Sequence, residues 1–465
     1  ESNEGQASRH AVNSSPLFHP CARPASPVFS LSGADDVSNH PRLMQQINLG
    51  LIGGGTVGSG VFHHWRRNGD LMASRLGVQI KVRKVAVKAF DEPRPYPITR
   101  SLLTTDWQEV VNDPAVQVVV ELVGGTTLAK TMVLAALRQG KPVVTANKAL
   151  LSAHGEELFA AARASGANLY YEASVAGGIP IIKAMREAFV GNRVTHLYGI
   201  VNGTCNYILT RMKQEGADFA GVLADAQRLG YAEAEPSLDV DGFDAEHKTG
   251  ILASLAHGFW VQPSQIYVEG IRQISKLDMQ FAAQLGYTIK LLGIVKRLDP
   301  GKGRSRNGAR IQVSVYPTLI PNSHVLASVN GVFNAVFVRG DVVGDTLFYG
   351  RGAGKDATAS AVLSDLADAA LDLTHGCGSR VLPFVPHEQA GSVAPIGEIV
   401  SRYYVRLDVI DRPGVMAKIA AILGAAGIGI SSIIQPEGHE GDSVPLILML
   451  QDAPNAAMQR ALARI

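Results

Sequence analysis

The apolar positions of this chain first gather into short, nearly continuous runs separated by helical spacing. Ile47 to Ile52 is such a run; it ends in Gly53-Gly54-Gly55-Thr56-Val57-Gly58, and a helical pattern follows through Val61, Phe62 and Trp65. Two further runs rich in β-branched residues, Ile80 to Phe90 and Val116 to Val123, alternate with a helical stretch from Thr127 to Gln139, and Pro142 to Thr145 supplies a fourth short strand. Apolar runs separated by crossover helices predict a parallel, doubly wound α/β sheet.

Beyond Tyr170 the pattern changes. A glycine-punctuated segment, Glu172 to Pro180, opens a region whose strand candidates are Thr195 to Val201, Ile266 to Gly270, Arg310 to Pro317 and Val336 to Arg339, alternating with helices. A mixed α+β substrate domain is expected here. Gly350 to Leu366 holds Gly352-Ala353-Gly354 and then small residues suited to a helix packed tightly on another backbone, so this segment is expected to return to the first domain. Residues 376–399, rich in Pro, Gly, Ser and His, read as a linker. In the last stretch, strands at Tyr403 to Val409, Ile428 to Ile434 and Val444 to Leu450 alternate with helices at Met416 to Ala426 and from Asn455. The expected division is a disordered or non-native extension over 1–44, a nucleotide-binding domain over 45–172, a substrate domain over 173–375, the linker, and a small domain over 400–465.

Composition narrows the function. The 465 residues are 46% hydrophobic, enough for several cores, and Lys+Arg (43) nearly balances Asp+Glu (41). No basic block interleaved with aromatics suggests nucleic acid, so a small-molecule partner is expected. Three widely spaced cysteines, Cys21, Cys205 and Cys377, argue against a disulfide framework and for a reducing, cytoplasmic setting. No apolar stretch approaches the roughly 18–20 residues that cross a bilayer. The first forty-odd residues lack a secretory pattern; Met44 is a candidate initiator, with a transit peptide as the rival reading.

The spacing Gly53-x-Gly55-x-x-Gly58, between a strand and a helix, lets the backbone approach a pyrophosphate at a helix N-terminus. The second strand ends Val87-Lys88-Ala89-Phe90 instead of in a carboxylate; Lys88 suits a 2′-phosphate and favours NADP, while Asp91 and Glu92 keep NAD open. Ala146-Asn147-Lys148 follows a strand at the edge where open α/β sheets bind ligands, placing Lys148 near the nicotinamide or the substrate. The densest stretch runs from Gly230 to Lys248 and includes Glu233, Asp239 and Asp244. Asp244 and Lys248, four apart, share one helix face, where the carboxylate holds the ammonium as a proton donor or simply forms a surface ion pair.

From Met44 onward the residues resemble homoserine dehydrogenase. The resemblance rests on Gly53 to Gly58, Ala146-Asn147-Lys148, Tyr171 to Pro180, Val201-Asn202-Gly203-Thr204-Cys205-Asn206-Tyr207, the acidic stretch ending in Lys248, and Gly350 to Gly354. It implies reversible hydride transfer between NAD(P)H and aspartate 4-semialdehyde, giving L-homoserine on the route to threonine and methionine. By resemblance Lys248 donates the proton, with Lys148 and Asp244 assisting, and Glu233, Asp239, Gly203 and Thr204 bind the substrate. Gly53, Gly55, Thr56, Val57, Gly58, Lys88, Thr126, Lys148 and Gly352 take the cofactor. Glu172, Val175, Gly177 and Ile179 match positions that hold a monovalent cation, usually sodium; a buried structural carboxylate or hinge cap is the alternative for Glu172. Two departures stand out: Gly54, where the family often has a bulkier residue, and Lys88, where an Arg is frequent.

Asp411-Arg412-Pro413-Gly414-Val415 resembles the opening of an ACT domain, a ferredoxin-like βαββαβ unit, here ending before a fourth strand and so expected to be truncated. That resemblance implies threonine feedback; an oligomerisation role is the alternative, and a homodimer or homotetramer is expected. Two other functions compete. A 2-hydroxy-acid dehydrogenase would use a His–carboxylate pair, and a non-catalytic sensor would not need Lys148, Glu233, Asp244 and Lys248 together.

Overall fold

The computed structural model describes residues 44–298, 308–437, 439 and 441–465. The stretch 1–43, with Cys21 and the expectations attached to it, lies outside them. Among the described residues the strands form three sheets.

The first sheet comes from the continuous apolar runs. Strands β1 (Gln45–Ile52), β2 (Val78–Ala86), β3 (Leu103–Thr104), β4 (Val118–Glu121), β5 (Val143–Thr145) and β6 (Leu169–Tyr170) pair in parallel in the order β3-β2-β1-β4-β5-β6. Helices α1 (Thr56–Leu76), α2 (Gln108–Val111), α3 (Thr127–Arg138) and α4 (Lys148–Ser165) connect them. The strand order reverses between β1 and β4, so a crevice opens beyond their carboxyl ends, the usual ligand position in such sheets. Strand β4 reads Val-Val-Val-Glu and is buried throughout, as a strand covered on both faces must be.

The run Ile80 to Phe90 does not stay in the sheet to its end. The strand ends at Ala86, the Val87 amide still donates to the Thr104 carbonyl (2.9 Å), and beyond it the Arg94 guanidinium donates to the carbonyls of Ala89 (2.6 Å) and Phe90 (2.9 Å).

The second sheet is mixed. Helices α5 (Ile181–Lys183), α6 (Gly203–Glu215), α7 (Phe219–Arg228), α8 (Ser237–Val240), α9 (Phe243–His257) and α10 (Lys276–Gln284) accompany β7 (Val194–Ile200), β8 (Tyr267–Val268), β9 (Tyr287–Arg297), β10 (Arg310–Pro321), β11 (Phe333–Gly340) and β12 (Gly344–Arg351). The order is β12-β11-β7-β9-β10, with β8 also paired to β10. Helix α9 is buried on nearly every side between this sheet and α4, which is unusual for a segment carrying Asp244, Glu246 and Lys248. Buried charges of this kind must be paired or hydrogen-bonded.

Helix α11 (Lys355–Thr374) packs back on the first domain. Ala359, Val362, Leu366 and Ala369 share a core with Leu49, Leu51, Phe62 and Val85. A Cβ at Gly60 would sit 3.2 Å from the Lys355 carbonyl, so small residues on both helices permit the approach. The Pro- and Gly-rich stretch 376–399 is bonded into the fold: β13 (Ser392–Val393) pairs with β10, and Phe384 packs on Phe159 and Trp260.

The third sheet is small and antiparallel. Strands β14 (Val400–Ile410), β15 (Ile430–Ile434) and β16 (Ser443–Pro454) lie in the order β14-β16-β15, with α12 (Val415–Ala425) and α13 (Asn455–Arg464). It docks through Asp278 on α10, which accepts hydrogen bonds from Tyr404 (2.8 Å) and Arg406 (2.9 Å).

Candidate active site

At the crevice the glycine turn has the shape its spacing requires. Gly53 has φ +105°, and a Cβ there would lie 2.6 Å from the Leu122 carbonyl oxygen; a Cβ at Gly58 would strike the Gly53 carbonyl. Gly55 differs from both, because no protein atom lies within 4 Å of where its Cβ would be. It caps α1 without a side-chain hydrogen bond, and no acidic residue occupies the first turn. Thr56 and Val57 begin the helix, so amide groups and the positive end of a 21-residue helix face open space. This cradle fits a pyrophosphate. Gly54 is explained too: a Cβ would sit 2.5 Å from Val87 Cγ1 and 3.2 Å from Ile98 Cδ1.

Lys88 lies two residues past β2 and is exposed. Arg94 lies against Gly54, its Nε buried with no hydrogen-bond partner among the described residues. Thr126 precedes α3 at the end of a reversal made by Gly124 (φ +76°) and Gly125 (φ +71°).

Across the crevice, helices α4, α6 and α9 bring a second set of groups together. Lys248 Nζ donates to Asp244 Oδ2 (2.6 Å) and to the Val201 carbonyl (2.8 Å). Lys148, the first residue of α4, approaches Asp244 Oδ1 at 3.3 Å from the nucleotide-binding side. One carboxylate therefore bridges two ammonium groups from two parts of the fold. Burial alone would raise the Asp244 carboxyl, but Lys248 and then Lys148 outweigh it and hold it at about 2.

Asn202 was missed by the sequence reading as a site residue, and it links the acids. Its Oδ1 accepts from the Cys205 amide (2.7 Å) as the cap of α6, which fixes the amide orientation. Its Nδ2 then donates to both Asp239 Oδ1 (2.7 Å) and Asp244 Oδ2 (2.8 Å). Thr204 Oγ1 faces the Tyr231 carbonyl (2.7 Å) and Asp239 Oδ2 (3.2 Å). Burial, then the neighbouring Asp244 charge, push the Asp239 carboxyl up, so it is a group that gains from an incoming cation. Gly203 is tightly seated, since a Cβ would lie 2.9 Å from the Val332 carbonyl. Glu233 is not drawn into the cluster: its residue is exposed and only its main-chain carbonyl is tied, by Gln227 (3.0 Å).

The segment from Glu172 forms a third feature. Its two carboxylate oxygens accept from the amides of Ile182 (2.9 Å) and Lys183 (2.7 Å), capping α5, and burial pushes the carboxyl up to about 7. Val175, Gly177 and Ile179 follow on a buried loop whose Ala176 (φ +53°) and Gly177 (φ +34°) are both left-handed. The Ile179 carbonyl already accepts from Ile181 (2.8 Å). Gly352 backs this loop; a Cβ at Gly177 would lie 2.8 Å from its carbonyl.

A parallel sheet with a nucleotide cradle, facing a buried lysine–carboxylate cluster, defines a nicotinamide-dependent oxidoreductase. The family model described as homoserine dehydrogenase matches residues 180–367, and the one described as homoserine dehydrogenase, NAD binding domain, matches residues 53–172. The chain belongs to the homoserine dehydrogenase family.

Among curated relatives, the homoserine dehydrogenase of Pseudomonas aeruginosa is 45% identical over 427 residues, covering 91% of this chain and 96% of its own. A crystal structure of a homoserine dehydrogenase from Thiobacillus denitrificans is 44% identical with a TM-score of 0.83, covering 91% of this chain and 95% of that one. A hyperthermophilic archaeal homoserine dehydrogenase in complex with NADPH is more distant, at 26% identity and a TM-score of 0.57 over 70% of this chain and 98% of that one. Among the described residues no helix is long and apolar enough to cross a membrane.

Proposed function

We propose that the chain reversibly reduces L-aspartate 4-semialdehyde to L-homoserine, in the biosynthesis of threonine and methionine in the cytoplasm, with NADP preferred over NAD. The observation that carries this reading is Asp244 joining Lys248 and Lys148 across the crevice, 2.6 Å and 3.3 Å away. Gly53, Gly55, Thr56, Val57, Gly58, Thr126 and Gly352 would hold the nicotinamide cofactor, which when bound would supply a hydride to the aldehyde carbon. Oxygen then carries developing negative charge. The Lys248 ammonium stabilises that charge and gives up its proton there, while Lys148 polarises the same oxygen. Asp244 orients both lysines, and Val201 fixes Lys248 from the other side.

Asp239 and Glu233 receive the substrate ammonium, carboxylates being the expected partners of a cation, and Gly203 and Thr204 form the adjoining substrate loop. Lys88 and Arg94 supply the positive charge that a 2′-phosphate selects. Replacing both by Ala is expected to narrow the NADPH-over-NADH preference by about tenfold or more, read from kcat/KM with each cofactor.

A monovalent cation such as sodium suits the carbonyls of Val175, Gly177 and Ile179 with Glu172, because the left-handed Ala176–Gly177 turn and a buried carboxyl raised to about 7 favour an added positive charge. The C-terminal β-α-β-β-α module fits an ACT-type threonine sensor, with a crevice of about 460 Å³ lined by Asp411, Arg412, Pro413 and Gly414. The enzyme works as a homodimer or homotetramer. The direct test is NADPH oxidation with aspartate 4-semialdehyde, repeated with threonine. Turnover supports the reading, and its absence from folded protein overturns it.

A further inference from the structure

A further buried carboxylate, outside the lysine–carboxylate cluster, lies at the end of β4 and reaches the turn that precedes Lys148. Glu121 is the last residue of β4 and is fully buried. Neutral groups satisfy it. Oε1 accepts from the amides of Val123 (2.8 Å) and Gly124 (3.3 Å), and Oε2 accepts from the Thr145 hydroxyl (2.6 Å). A buried acid held only by neutral donors is costly compared with an apolar residue, so what it organises matters.

Two chain reversals meet at this group. The first, residues 122–126, is the surface against which Gly53 packs, and it leads into Thr126 and α3. The second, residues 145–148, delivers Lys148 at the start of α4. Thr145 Oγ1, while donating to Glu121, accepts from the Asn147 amide (3.0 Å). Asn147 then caps α4 through Leu150 (3.0 Å) and donates its Nδ2 to the Gly125 carbonyl (2.7 Å). The bonds close a ring: Glu121 to both reversals, and Asn147 back from the second to the first. With Thr145 accepting from a backbone amide, its single proton goes to Glu121, whose carboxyl burial pushes up against the pull of these donors.

We propose that Glu121 is a positioning residue which, through Thr145 and Asn147, fixes the gap between the glycine-turn side of the crevice and Lys148. The inference rests on the reading that Lys148 meets the reacting end of the substrate. Turnover depends on this spacing because displacement of a reacting group by about 1 Å costs up to about a hundredfold in rate.

The test is steady-state kinetics per folded enzyme, with NADPH binding used to count active sites. Thr145→Val cuts the bridge while keeping shape, and Glu121→Gln keeps shape while changing the acceptor pattern. Each is expected to lower kcat by about tenfold or more with little change in KM for aspartate 4-semialdehyde, and to raise the primary isotope effect from deuterated NADPH. The double variant should be no slower than the worse single, and Thr145→Ser should restore most of the rate lost in Thr145→Val. If Thr145→Val does not fold, Thr145→Ala compared with Thr145→Ser reads the same link. Normal kcat per folded enzyme, or losses that multiply in the double variant, overturns the proposal. Lys148→Met separates the two layers: if it turns over normally, the role of Lys148 is wrong. If it is crippled while Thr145→Val is normal, only the role of Glu121 falls.

Discussion

Replacing Lys248 by Met removes the ammonium 2.6 Å from Asp244 and leaves a fully buried carboxylate with Lys148 at 3.3 Å and the Asn202 amide. Two separable effects follow. Loss of a positioned general acid is expected to lower kcat by about 10³-fold. Loss of the buried partner is expected to cost about 3 kcal/mol of stability at pH 8, or roughly 3 °C in apparent Tm. In the parent protein the Asp244 carboxyl is held at about 2, so its contribution is present above the unfolded value of about 3.9 and is lost only as pH falls through about 2. Without Lys248 burial dominates and the carboxyl rises. The penalty is then largest at high pH and fades on acidification, as Asp244 takes up a proton. Melting curves from pH 8 to pH 5 and NADPH oxidation rates measure both effects. Adding Asp244→Asn should recover stability without recovering rate. Turnover within tenfold of the parent, or a stability deficit that does not change with pH, would refute the reasoning.

Three further outcomes are expected. Asn202→Leu deprives Asp239 and Asp244 of their shared donor, raising KM for aspartate 4-semialdehyde and lowering kcat, with a combined loss of about 2 kcal/mol in kcat/KM. Gly55→Ala should melt like the parent yet bind NADPH at least about tenfold more weakly, whereas Gly53→Ala, strained at φ +105° against Leu122, should lose about 1–3 kcal/mol of stability; melting and cofactor titration distinguish them. His257, pushed down to about 4 by burial, resists a proton that the unfolded chain accepts near pH 6.5, so stability falls between pH 7 and pH 5 by about 2 kcal/mol on its account. His257→Leu should flatten that decline in denaturant unfolding at the two pH values.

The parallel sheet was legible because its strands are buried on both faces and separated by helices, and the glycine turn because Gly53 and Gly58 meet backbone that a side chain would strike. The pairing of Asp244 with Lys248 was readable from helical spacing alone. Asn202 was not: its partners lie 37 and 42 residues away, and Asn before Gly looks like any turn or helix cap. Glu121 was hidden in an apolar run read as strand through Val123, where nothing local signals that an acid closes two loops. Beyond the early end of β2 the chain is held by Arg94 reaching back to Ala89 and Phe90, a contact that hydrophobic pattern does not encode. The order of the mixed sheet was likewise set by pairings between strands far apart in sequence.

The most direct examination of the proton-donor assignment is a crystal structure with NADP and L-homoserine bound together. The Lys248 Nζ should lie about 3 Å from the substrate hydroxyl, with Asp239 on the substrate ammonium. A hydroxyl turned away from α9, with Lys248 beyond reach even through one water, would contradict it.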